Sequence, residues 1–215
     1  MKQQRLRIHF SKTDQMRFTG HLDLILTWER IFRRSGLPLA YSEGFSPRPL
    51  LSMAAPLPLG FTSIGEIGDF WLSEIVQLNT VQSNVKNALP PGLEIHSVHE
   101  IPDLFKGKLP SLIIAAKYSS KLIGDVRNLD KRIKELLDSP ALIWERKGKS
   151  FDIRPLITDL VLAKQTQKSS AELFMTLSNL PGATGRPDDV IAVLNVADKV
   201  EQICRTEIIL KDEVL

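Results

Sequence analysis

Glycine and proline cut this chain into short pieces, and that limits what it can fold into. Gly36 and Pro38 close one periodic stretch, Pro90, Pro91 and Gly92 close a second, and the segment Ile101 to Pro110, IPDLFKGKLP, interrupts the middle of the chain. Proline fixes φ and removes a backbone donor, while glycine opens the left-handed region, so regular elements stop at these points. Between the first stops, Leu6 to Phe10 alternates as a strand, and Gly20 to Ser35 sets Leu22, Ile25, Leu26, Ile31 and Phe32 at helical spacing. Thr19 or Gly20 suits the helix start, Asp23 its first turn and Arg33 and Arg34 its last. Leu39 to Ser42, Leu51 to Ala55 and Glu66 to Ser73 read as strands, Thr80 to Ala88 as a helix, and Leu93 to Val98 as a strand.

After the interruption the same order returns. Ser111 to Tyr118 reads as a strand, Val126 to Leu137 as a charged amphipathic helix, and Ala141 to Lys147 with Ser150 to Ile153 as a hairpin around Gly148. Leu156 to Ala163 and Glu172 to Ser178 follow as strands, Pro187 to Val196 as a helix with Asp188 and Asp189 at its positive end, and Cys204 to Leu210 as the last strand. The expected fold class is therefore α+β, two tandem ferredoxin-like (split βαβ) units with antiparallel sheets. Residues 1–103 form the first and 104–215 the second.

Composition narrows the function. With 215 residues, 43% of them hydrophobic, the chain can bury a core, and its formal charge is only +3. The first fifty residues are less balanced, with nine Lys or Arg against four Asp or Glu, which fits a solvated basic helix or a surface for phosphates. Cys204 is the only cysteine, so one chain can form neither a disulfide framework nor a cysteine cage for zinc or iron–sulfur. No apolar run reaches the roughly 20 residues of a membrane span, and MKQQRLRIHF is not followed by a signal-peptide core. A cytoplasmic protein is expected. The chain has no Walker loop, GxGxxG or GxSxG, and its four histidines match no zinc spacing, so neither metal nor cofactor is expected.

The candidate site lies where punctuation and charge meet. From Tyr41 to Glu66, YSEGFSPRPLLSMAAPLPLGFTSIGE, four prolines and three glycines fix a shaped loop directly after the basic helix end. Arg30 and Arg34 share a helix face with Arg33 beside them, a grouping able to bind phosphates. It is equally able to offset the helix dipole. Lys12, Arg17, His21, Tyr41, Ser42 and Arg48 complete the candidate RNA- or phosphate-binding set, and Lys12, His21 and Tyr41 alone form an alternative acid–base set for metal-free RNA cleavage. In the second half RPLI (Arg154 to Ile157) and GRPDD (Gly185 to Asp189) each place arginine beside proline, as a cleft or as rigid loops held by ion pairs. Trp28, Trp71 and Trp144 are expected in the cores.

The run from FSKTDQMRFTGHLDLILTWERIFRRSGLPLAYSEGFSPRP to SIGE resembles the opening of the bacterial radical-SAM-linked protein family, a family of unknown function. Lys12, Arg17, His21, Asp23, Arg30, Arg33, Arg34, Tyr41, Ser42, Gly44, Phe45, Pro47 and Pro49 sit on its pattern, with RPLI and GRPDD as sparser landmarks. Gly20 before His21 and Ser46 depart from it, where serine and asparagine are usual. The resemblance implies a partner role beside a radical-SAM protein acting on tRNA or rRNA, and assigns no catalytic residue. A radical-SAM enzyme needs three clustered cysteines, so this chain is not itself one. Three readings follow: a non-catalytic RNA-binding or substrate-presenting module, an RNA-processing enzyme using His21, and an adaptor docking the radical-SAM partner. Oligomeric state is not legible.

Overall fold

The computed structural model describes residues 1–104, 107–146, 148–164, 170–180 and 182–211. The chain divides into two compact units, Met1–Ile113 and Ile114–Leu215. In the first, β1 (Gln4–Lys12) leads through a short helical turn to α1 (His21–Arg34), then β2 (Leu51–Met53), β3 (Thr62–Leu72), α2 (Leu78–Ala88) and β4 (Leu93–Glu100). The strand order is β4-β1-β3-β2, with every neighbour antiparallel.

Alternation along β1 sets the layers. Leu6, Ile8 and Phe10 point to one face and are fully buried there with Leu24, Trp28, Ile31 and Phe32 of α1 and Val81 and Val85 of α2. Trp28 meets Phe10 edge-on with centroids 4.8 Å apart, and Phe32 stacks on Phe70 at 4.3 Å. Each such side chain contributes roughly 1.5–3 kcal/mol of burial, which fixes α1 on the sheet. Gly20 caps α1 through its carbonyl, which accepts the Leu24 N–H at 2.9 Å.

Arg5 and Arg7 point to the other face, where both hold Asp69 of β3. Arg5 Nη2 donates to Asp69 Oδ2 at 2.7 Å and Arg7 Nε to Oδ1 at 2.8 Å, with all three residues buried. Arg5 also donates to the carbonyls of Asp103 and Gly107, and Trp71 Nε1 to that of Leu104 at 3.1 Å. The segment that interrupts the middle of the chain is thus bound to the first unit, and Leu109 near its end is fully buried. Phe105 and Lys106 within it lie outside the described residues.

The second unit contains β5 (Ile113–Ile123), α3 (Leu129–Asp138), a hairpin of β6 (Ile143–Arg146) and β7 (Lys149–Asp152), β8 (Ile157–Lys164), β9 (Ser170–Leu180), a two-residue β10 (Ala183–Thr184), α4 (Pro187–Val193) and β11 (Val200–Leu210). Its strand order is β8-β9-β5-β11, with β10 folded back on the end of β9. Lys117 pairs with Glu207 at 2.7 Å and Lys121 with Glu201 at 2.5 Å, so β5 and β11 run in opposite senses. Leu122, Leu129, Leu160, Leu173, Met175 and Val190 are buried in its core.

The tryptophans do not all build cores. Trp28 is buried, but Trp71 and Trp144 are half-buried and use their indole N–H groups as ties. An indole inside a core needs an acceptor there, whereas at the margin it can reach a loop carbonyl or a carboxylate.

Candidate functional site

The nine candidate side chains fall into separate places in the first unit. Lys12 ends β1 fully buried, and its ammonium donates to the carbonyls of Arg17 and Phe61, each at 3.2 Å. Arg17 Nε donates to the Gly60 carbonyl at 2.7 Å, and the Gly60 N–H returns a bond to the Arg17 carbonyl at 3.1 Å. Carbonyls outside a sheet ladder need donors, and these two cations supply them. A buried ammonium held by two carbonyls does not meet a phosphate arriving from solvent, so Lys12 leaves the candidate surface and the alternative acid–base set. Arg17 serves first as a clasp between the turn after β1 and the loop before β3.

His21 opens α1 and is half-buried. At the other end of that helix Arg30, Arg33 and Arg34 are exposed. Arg33 reaches Glu29 at 3.3 Å, one turn back, and Glu29 is itself buried, so this arginine is held while its neighbours face water.

Seven residues after Arg34, Tyr41 begins a hairpin. Tyr41 bridges to Pro49, the Ser42 N–H donates to the Arg48 carbonyl at 2.9 Å, and the Arg48 N–H donates to Ser42 Oγ at 3.0 Å. Residues 43–47 form the exposed tip, where Gly44 holds φ at 125°, a region that glycine alone enters without strain. Phe45 is 111% exposed at this tip and Tyr41 45% exposed at its foot. Beyond the hairpin the proline-rich stretch turns inward: Pro49, Ala54 and Leu57 are buried. Pro56, Pro58 and Leu59 remain exposed, so the second half alternates between core and surface.

RPLI and GRPDD meet in the second unit. Arg154 donates through Nε and Nη2 to the Leu137 carbonyl at the end of α3, at 3.2 and 2.8 Å, and through Nη1 to the Ile157 carbonyl at 3.0 Å. A side chain on Gly185 would lie 3.0 Å from the Leu156 carbonyl oxygen and 2.9 Å from Leu177 Cβ, so the two landmarks touch where only glycine fits. Asp189, buried on α4, accepts the Trp144 indole N–H at 3.0 Å and a short bond from Arg146. It fastens the β6–β7 hairpin. Both landmarks are used for construction.

Sequence reasoning passed over a histidine row on the face of the first sheet opposite its helices. His9 meets His99 edge-on with ring centroids 5.9 Å apart, and His96 Nε2 lies 2.6 Å from Ser11 Oγ. Burial, then the neighbouring His99 and Arg7, lower the His9 pKa below the ordinary histidine value. The visible signal was the alternation of RLRIHF, which places Arg5, Arg7 and His9 on one face. Among the described residues no group of three or more His, Cys, Asp or Glu is placed to hold a metal ion. No helix there is long and apolar enough to cross a membrane.

The family described as "Uncharacterized protein conserved in bacteria (DUF2344)" matches residues 5–187, which take in α1, the hairpin and RPLI and end within GRPDD, before Asp188 and Asp189. The chain belongs to this family. No curated protein matches it. Among solved structures, a chain of "Crystal Structure of a Cbf5-Nop10-Gar1 Complex" is similar at 12% identity with a TM-score of 0.51. The likeness covers 97% of the DUF2344 chain and 50% of the solved one, so this chain spans about half the length of its structural neighbour. At that identity the resemblance is one of fold.

Proposed function

We propose that this DUF2344 chain is a non-catalytic RNA-binding, substrate-presenting partner of a separate radical-SAM protein in the cytoplasm, built on two tandem ferredoxin-like units. The 4-1-3-2 strand order, present in both units with a helix after the first and third of the four strands, supports the fold assignment. The observation that carries the function is the exposed set on the first unit: Arg30, Arg33 and Arg34 at the end of α1, followed by a closed hairpin that offers Tyr41, Phe45 and Arg48 to solvent. Cations that track a phosphate backbone, with aromatic faces on which bases stack, are what single-stranded RNA requires of a surface. Ser42 shapes this surface by closing the hairpin. Lys12 does not belong to it, which favours recognition over cleavage. Cys204, the only cysteine, cannot hold an iron–sulfur cluster, so radical chemistry would belong to the partner.

Titration of labelled tRNA and rRNA fragments by fluorescence anisotropy, repeated across salt concentrations, tests this reading. Binding should weaken linearly in log K against log salt, and replacing Arg30, Arg33 and Arg34 by glutamine should lower the slope by up to about 2 for single strands. Absent binding, or binding indifferent to salt and to these three residues, would overturn it.

A further inference from the structure

The outward face of α1 carries apolar residues that the RNA reading leaves unused. At 3.6 residues per turn, Leu22, Leu26, Arg30 and Arg33 fall within about 80° of one another, opposite the buried Leu24, Trp28, Ile31 and Phe32. Leu22 is 74% exposed although it stands on a helix that already has a complete core face. Just before the helix Phe18 is 76% exposed, with the Arg17 guanidinium 5.6 Å from its ring centroid. The Arg17–Gly60 clasp fastens a second segment just before the helix: residues 17 and 60 exchange two hydrogen bonds, Phe18 and Leu59 are the residues next to them, and Leu59 is 64% exposed. Two segments far apart in sequence thus each bring an exposed apolar residue next to the clasp.

We infer that this stripe, Phe18, Leu59, Leu22 and Leu26 leading into Arg30 and Arg33, docks an acidic amphipathic helix of a partner protein. Exposed apolar side chains grouped on one face mark an interaction surface, and their spacing along α1 matches the i, i+4 anchors of a helix laid alongside. Charge selects the occupant. The stripe runs from apolar residues into exposed Arg30 and into Arg33, which Glu29 already holds at 3.3 Å. The complementary helix therefore places leucine-like anchors over Leu22 and Leu26 and carboxylates over Arg30 first and over the exposed side of Arg33 second. Nucleic acid has no use for aliphatic side chains standing in water at this spacing, whereas a helix buries them. The inference does not depend on the RNA reading, because the leucines and the hairpin can be altered separately.

Two labelled helical peptides of equal length provide the test, both with leucines at heptad a and d positions, one flanked by glutamates and one by lysines. The full chain should bind the glutamate peptide saturably, more weakly as salt rises, and about tenfold or more tighter than the lysine peptide. Leu22→Ser with Leu26→Ser should weaken that binding about tenfold, while the thermal midpoint and the affinity for RNA stay at wild-type values. Arg48→Ala should leave peptide binding unchanged. Absent saturable binding, equal affinity for the two peptides, or undiminished binding by the leucine variant would overturn the proposal. So would a loss of RNA affinity in the leucine variant, which would assign the stripe to nucleic acid.

Discussion

The hairpin segment YSEGFSPRP and the segment GRPDD are made of similar residues and end in opposite circumstances. Each sets glycine, proline and arginine beside acidic or hydroxyl side chains. In the hairpin the Ser42 N–H and Oγ close on the Arg48 carbonyl and N–H, and the tip stays in water. In GRPDD, Gly185 is pressed against Leu156 and Leu177, and Asp189 holds the indole of Trp144 and the guanidinium of Arg146. What separates a surface from a joint is therefore where the polar atoms find partners, not which residues supply them. A segment that satisfies itself is free to meet something else.

The comparison breaks most sharply at Asp189. Removing its carboxylate leaves Arg146 and the Trp144 indole at the margin of the core without their acceptor, and Asp189→Ala should cost about 3 kcal/mol in urea unfolding, near the lower end for a broken buried pair because Arg146 keeps some contact with water. A loss below about 0.5 kcal/mol, the range of ordinary surface substitutions, would make GRPDD another exposed loop. Gly185→Ala comes next. Its methyl would press on the backbone oxygen of Leu156 and on Leu177, neither of which can swing away, so about 1–3 kcal/mol of strain is expected from the same measurement.

Asp189 also shows how far the sequence could be read. Aspartates at the start of a helix are expected from the dipole, and Asp189 stands there, but its tie to a hairpin more than forty residues earlier has no local signature. The helices were legible because burial repeats at 3.6 residues: α1 begins and ends within one residue of its expected span. Most strands were found, but β1, β3 and β9 were drawn short, since they extend through residues such as Arg5, Ser63 and Ala171, whose burial and pairing depend on neighbouring strands. The expected strand Leu39 to Ser42 makes only single bridges, Leu39 to Leu72 and Tyr41 to Pro49. Within the candidate site the exposed arginines and the hairpin were visible as charge and punctuation. The withdrawal of Lys12 was not, because only the tertiary fold brings the Phe61 carbonyl to the end of β1. Asp69 stayed hidden for the same reason, its two arginines being more than sixty residues away.

The hairpin should give smaller effects on folding. Ser42→Ala removes the acceptor of the Arg48 N–H at an exposed position, where water replaces it, so the loss should be about 0.5–1 kcal/mol, detected as a lower urea midpoint with unchanged slope. A loss as large as that of Asp189→Ala would mean that the hairpin also serves as a joint.

Phe45→Ser should have the smallest effect on stability and the clearest effect on binding. The ring is fully in solvent, so unfolding should change by no more than about 0.5 kcal/mol. If a base stacks on it, affinity for single-stranded RNA should fall by about 1–3 kcal/mol, and by the same amount for purine and pyrimidine oligomers of equal length, because every base offers a face to an aromatic ring. Stability and binding thus respond in opposite proportion at the two segments. GRPDD substitutions lower the unfolding free energy and reach RNA affinity only through the folded fraction, while Phe45→Ser leaves the folded fraction intact and acts on affinity directly. Unchanged affinity in Phe45→Ser would remove the hairpin tip from the RNA surface and leave the arginines of α1 to carry it alone.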